Sequence, residues 1–73
     1  MKYDKKISDK LNELLVKNYD AEKGYINAIS EVDNVSVKTF FKNMAEQRSK
    51  FARQLRTEII TYGEIPEDSG SFK

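Results

Sequence analysis

The chain contains no histidine and no cysteine. The side chains able to do chemistry are therefore carboxylates, amines, guanidinia, amides and phenols. A Cys/His zinc site, a thiol nucleophile and a Ser-His-Asp triad all lie beyond what this chain can build alone. The most suggestive grouping that remains is Asn18, Glu22 and Arg48. Leu11, Leu15, Asn18, Glu22, Tyr25, Ile29 and Val32 follow a four-three spacing, as do Val37, Phe41, Met44, Arg48, Phe51, Leu55, Ile59 and Tyr62. Such spacing puts each set on one stripe of a helix, and each stripe is apolar except near its middle. A carboxylate meeting a guanidinium there would form a bidentate, charge-assisted pair. Buried, that pair would add little net stability but would penalise slipped registers. At the edge of the stripe, both side chains would instead pack their stems and reach for water. A lone Glu–Arg pair is more often architectural than catalytic. No catalytic, cofactor-binding or metal-ligating residue is expected, and Asn18, Glu22 and Arg48 are read as a structural polar layer.

Two helices must position that layer. The first pattern runs over about 4–32, with Asp4 or Ser8 as N-cap, and the second over about 35–62. Between them, Val32-Asp33-Asn34-Val35-Ser36 supplies caps and turn formers. So short a connection makes consecutive helices antiparallel neighbours. Gly63 and Pro66 stop the second helix, and residues 63–73 read as a polar tail, extended or mobile. The expected fold is all-α: one helical-hairpin domain spanning 1–73. Pairing positions whose numbers total 70 sets Leu11 against Ile59, Leu15 against Leu55, Ile29 against Phe41 and Glu22 against Arg48. Gly24 falls inside the first helix at a cost of about 1 kcal/mol relative to alanine. Its place is explained either by a close neighbour or by simple tolerance.

Charge and composition narrow the function classes. Residues 7–32 carry three lysines against five acids, whereas 37–62 carry six basic groups against two acids. An acidic helix beside a basic one is mildly favourable. The basic residues Lys38, Lys42, Lys50, Arg53 and Arg56 read as a solvated outer face. A whole-chain charge of +1 gives little attraction to a polyanion, so no nucleic-acid partner is expected. No apolar run approaches the roughly 20 residues that span a bilayer, and the charged N-terminus is unlike a signal core. The expectation is a cytoplasmic protein without a membrane partner.

Two helices touching along one seam enclose little core, and this chain has no disulfide to compensate. Beside the seam, Leu14, Ala21 and Ala28 form a second apolar row on the first helix. Phe40, Ala45, Ala52 and Ile59 widen the apolar face of the second. A face that wide suits a four-helix bundle. The simplest completion is a homodimer of hairpins, with an unidentified protein partner also possible; the alternative is a marginal monomeric hairpin.

Glu22-Lys23-Gly24-Tyr25 and the stretch Phe41–Phe51 resemble the two metal-binding elements of rubrerythrin-like hairpins in the ferritin-like superfamily. Those proteins carry a Glu, often in a Glu-x-x-Tyr setting, on the first helix and Glu-x-x-His on the second. Aligned on Met44-Ala45, the second-helix Glu falls on Arg48 and the His on Phe51. Both ligand positions would thus be lost, with the Arg48 cation standing where iron would balance Glu22. A closer resemblance is to a bacterial ferritin-like four-helix-bundle family of unknown function. It rests on Asp20-x-Glu22-x-Gly24-Tyr25, Phe41, Ala45-x-x-Arg48, Leu55, Gly63-x-x-Pro66 and Ser69-Gly70-Ser71. Members of that family look about twice as long, which implies that two copies of this chain supply four helices, or that it is a fragment. The resemblance implies a non-catalytic, self-associating bundle protein. The alternative is a carboxylate metal-binding, iron-handling protein in which Glu22 from two copies converges with Asp20 or Glu46, since hard cations accept all-oxygen ligands.

Overall fold

The computed structural model describes residues 4–70, so Ser71 of the tail motif lies outside the described residues. Two helices, α1 (Lys5–Ile29) and α2 (Val35–Thr61), pack against each other as an antiparallel hairpin. Asp4 caps α1, its Oδ1 accepting from the Ile7 N–H at 3.1 Å. Asn34 repeats the device on α2, accepting from the Val37 N–H at 3.1 Å. Each cap satisfies an amide that the first helical turn leaves without a partner.

α1 ends three residues before the expected Val32. The Ser30 and Glu31 amides tighten onto the Asn27 and Ala28 carbonyls at 3.2 and 3.1 Å, which winds up the last turn. The Lys38 ammonium then donates to the Ile29 carbonyl at 3.1 Å, placing a cation at the negative end of α1. At the far end of α2, Gly63 adopts φ 88°. Its amide bonds to the Ile60 carbonyl at 3.0 Å, and the Glu64 amide to the Ile59 carbonyl at 3.2 Å. That is the Schellman pattern, and its left-handed position favours glycine.

The helices meet about one turn away from the expected register. Asp4 N–H donates to the Tyr62 carbonyl at 3.2 Å, Asn18 Nδ2 to the Arg48 carbonyl at 2.6 Å, and the Tyr25 and Phe41 rings lie 6.2 Å apart. Each of these pairs has numbers totalling 66, not 70. Apolar residues still meet apolar residues after such a shift, because both stripes repeat every three to four positions.

Packing is uneven. Leu15, Ala52, Leu55 and Ile59 form the buried cluster, with Leu11 and Tyr19 against it. Ile7, Leu14, Ile26, Phe40, Phe51 and Ile60 remain 42–57% exposed. The molecule is a rod of 47 × 20 × 13 Å with a radius of gyration of 14.4 Å. A compact chain of this length would have about 11 Å. Its accessible surface of 5467 Å² likewise exceeds the roughly 4,700 Å² typical of a folded monomer of this mass. Among the described residues, no helix is long and apolar enough to cross a membrane.

Residues 63–70, expected to be extended or mobile, carry no helix or strand and double back along α1 as a strap. Pro66 disfavours helix at Ile65 and so helps turn the chain into an extended path. Asn12 grips this backbone twice: its Nδ2 donates to the Ile65 carbonyl at 3.1 Å, and its Oδ1 accepts from the Glu67 N–H at 2.8 Å.

Candidate functional site

The polar layer forms differently from the pattern expected. Asn18 is buried, 4% exposed, and Glu22 and Arg48 are half-buried. Asn18 and Arg48 do meet, but through the Arg48 backbone carbonyl rather than its guanidinium. Glu22 and Arg48 form no ion pair. The register explains this correction. At a total of 66, Arg48 lies level with Asn18, and Glu22 lies level with Met44. Glu22 instead borders a shallow groove with Ile26, Ile29, Lys42, Ala45, Glu46 and Ser49. The ion pairs Lys5–Asp9, Lys10–Glu13 and Lys17–Glu13 lie within α1, at least half exposed, where each contributes a few tenths of a kcal/mol.

Asn18 Oδ1 is buried without a hydrogen-bond partner. Its amide nitrogen bonds a carbonyl on α2, whereas its oxygen meets none of the helical amides, which are already committed to their own ladder. An orphaned buried acceptor costs about 1–3 kcal/mol. The layer therefore includes a polar group that the hairpin does not satisfy.

Beside it, the strap is tied by a second set of polar side chains. Arg56 Nη1 donates to Tyr19 Oη at 2.8 Å and to the Glu67 carbonyl at 3.3 Å. Tyr19 Oη donates to the same carbonyl at 3.1 Å. Asn12, Tyr19 and Arg56 therefore fasten the strap through its backbone, while Ile65 stays 86% exposed. Farther along, a side chain at Gly70 would run into the Asp20 carboxylate. Sequence patterning does not reveal this clasp. Pro66 is the one local signal that the tail is extended; nothing in the spacing of Asn12, Tyr19 and Arg56 marks them as a set aimed at it.

Among the described residues, no three His, Cys, Asp or Glu side chains gather where they could hold a metal ion. Gly24 is exposed and a Cβ there would meet open space, so no neighbour within the hairpin accounts for it.

These features define an all-helical hairpin with a strapped side and a buried amide layer. Residues 6–73 match the family described as Domain of unknown function (DUF2383), and the chain belongs to that family. No curated protein and no solved structure matches it.

Proposed function

We propose that this chain is a non-catalytic hairpin of ferritin-like descent, bacterial and cytoplasmic, whose role is to associate with itself into a four-helix bundle. The observation that carries this reading is the surplus of exposed surface. The rod exposes about 800 Å² more than a compact monomer of its mass, and Ile7, Leu14, Phe40 and Phe51 contribute apolar area to it at 42–57% exposure. Phe51 adds support. It occupies the position that the resemblance gives to a ligand histidine, and it is 44% exposed. In a completed bundle that position turns toward the core, where a hydrocarbon ring packs well and cannot bind metal.

For the metal-handling alternative, Glu22 and Glu46 border one groove, but Lys42 lines it with them. Among the described residues, no third carboxylate gathers with these two into a metal-holding group. Arg48 adds a cation at the level below, opposing the binding of another. Two measurements on the purified protein test the proposal. Light scattering after size exclusion should report twice the 8.5 kDa chain mass. Calorimetric titration with ferrous iron should give no stoichiometric heat. A stoichiometric iron isotherm would overturn the non-catalytic reading, and a mass of 8.5 kDa at every concentration would overturn self-association.

A further inference from the structure

Helical geometry divides the hairpin into two unlike sides. On α1, Asn12, Tyr19 and Ile26 advance by sevens, as do Ile7, Leu14, Ala21 and Ala28. At about 100° per residue, the two rows lie about 140° apart around the helix. On α2, Lys42, Ser49 and Arg56 form one such row, and Val37, Met44 and Phe51 another, again about 140° apart. The first row of each helix belongs to a single side. Tyr19 and Arg56 are hydrogen-bonded, and Ile26, Lys42 and Ser49 border one groove. The strap lies on that side. The other rows, with Phe40 next to them, form the opposite side. There Ile7, Leu14, Val37, Phe40 and Phe51 are 37–57% exposed.

We infer that the side opposite the strap is the interface for a second copy of this chain. This rests on the self-association proposed above and adds to it the choice of face. The strap side cannot serve as well, because polar side chains and an extended backbone occupy one half, and Glu22, Lys42, Glu46 and Ser49 border the groove in the other. On the free side of α1, Ile7, Leu14, Ala21 and Ala28 form an apolar row over about six helical turns, while on α2 Gln54, Thr57 and Glu58 border the hollow beside Phe51. The two alanines let another helix approach closely, while Phe40 and Phe51 supply bulk to fill the space between. The broad side of the rod measures 47 × 20 Å, room for the roughly 800 Å² per partner that a standard interface buries. The level of Asn18 and Arg48 falls within one residue of the midpoint of both helices. A two-fold axis through that level gives the rods full overlap and makes the contact isologous, which closes the assembly at two copies. The strap prevents the hairpin from offering a second sticky face and growing into a filament.

The natural absence of cysteine allows a direct test. Wild-type mass by light scattering is compared with that of Phe40→Glu/Phe51→Glu on the free side and Ile26→Glu/Ser49→Glu on the strap side. Circular dichroism checks helicity in each. The expected mass is twice 8.5 kDa for the wild type and the strap-side variant, with a twofold drop for the helical free-side variant. In an otherwise wild-type background, Ala21→Cys should cross-link to the doubled mass with a flexible bis-maleimide, and Ser49→Cys should not. The cysteine pair decides the matter if the double-glutamate variant loses its helices. Dissociation and cross-linking on the strap side alone would overturn the choice of face while leaving self-association intact. A wild type above twice the chain mass would overturn the one-sided closure. A wild type at 8.5 kDa would overturn the proposed function itself. Its cosedimentation with phosphatidylglycerol vesicles would then assign the free side to a lipid surface.

Discussion

The half of the hairpin next to the strap and the half next to the 30–34 turn draw on the same kinds of residue but pack differently. In the strap half, Ser8, Leu15, Asn18, Ala52, Leu55 and Ile59 are buried. From Tyr19 through Met44 no residue is buried, and on the turn side of Arg48 the α2 helix buries only Ala45. Ile26, Val35 and Phe40 are as apolar as Leu15 and Ile59, so composition does not separate the halves. The difference is a third layer. Where the strap lies over α1, it covers a flank of the seam that two cylinders alone leave open. Near the turn, nothing replaces it beyond the contacts of Phe41 with Tyr25 and Phe40, at 6.2 and 5.7 Å. Burial in so small a chain depends on coverage from several directions.

The largest effect should come from cutting the covered half. Leu15→Ala removes a fully buried side chain and should cost about 2–5 kcal/mol, most of what a small domain has. Ile26→Ala, at a site 51% exposed, should cost under about 1 kcal/mol. Urea melts at one fixed protein concentration compare them. Equal losses would mean that the turn half is covered as well as the strap half. Next comes Asn18→Leu, which exchanges an amide with an orphaned oxygen for a near-isosteric hydrocarbon. The hydrogen bond to the Arg48 carbonyl is lost, but that carbonyl already lies within α2. The net expectation is a gain of about 1 kcal/mol. A loss of stability in the same melts would show that the Asn18 oxygen has a partner in solution.

How far the sequence anticipates this molecule depends on the length scale of each signal. The helices and the Gly63 stop follow from local spacing and side-chain chemistry, and all are present; of the two cap candidates Asp4 and Ser8 the structure uses Asp4, and from the several cap formers of the 32–36 linker it uses Asn34. The register expected from spacing is one turn off because stripes that repeat every three to four residues match almost as well when slipped. Only polar residues break the tie, and pairing Glu22 rather than Asn18 with Arg48 selects the wrong alignment. The strap looks loose in sequence because its ties come from Asn12, Tyr19 and Arg56, 11 to 55 positions away from the strap residues they hold. No pattern within the tail carries that information.

Gly24 probes the turn half from the opposite direction. Its Cβ would meet open space, so Gly24→Ala should stabilise α1 by about 1 kcal/mol through the backbone alone. A loss on thermal melting would mean that something packs over Gly24 in solution. For the strap, Tyr19→Phe deletes the hydroxyl shared by the Glu67 carbonyl and Arg56 while keeping the ring against the core. The expected cost is about 0.5–1 kcal/mol. It should be accompanied by faster hydrogen exchange at the Glu67 amide and little change at Val37. Uniform acceleration over the whole chain would mean that the strap and helices open as one unit.

The smallest effect belongs to the Lys38 ammonium on the Ile29 carbonyl. Among the described residues, Ala45 alone is buried on the turn side of the Asn18 and Arg48 level, too little hydrophobic contact to hold the end of α1 firmly, so this single charge-assisted bond is one of the few fixed points there. It satisfies a carbonyl that has no amide ahead of it in the helix, and its charge complements the α1 dipole. Lys38→Met keeps most of the side-chain stem and a similar helix propensity while removing both terms. The expected cost is about 0.3–1 kcal/mol, reduced by salt because the charge interaction is screened. A difference from wild type that is the same in 20 mM and 500 mM sodium chloride, concentrations chosen because the screening length falls from about 20 to about 4 Å between them, would assign the contact to packing of the stem. The end of α1 would then be held by the same apolar coverage as the strap half, only thinner.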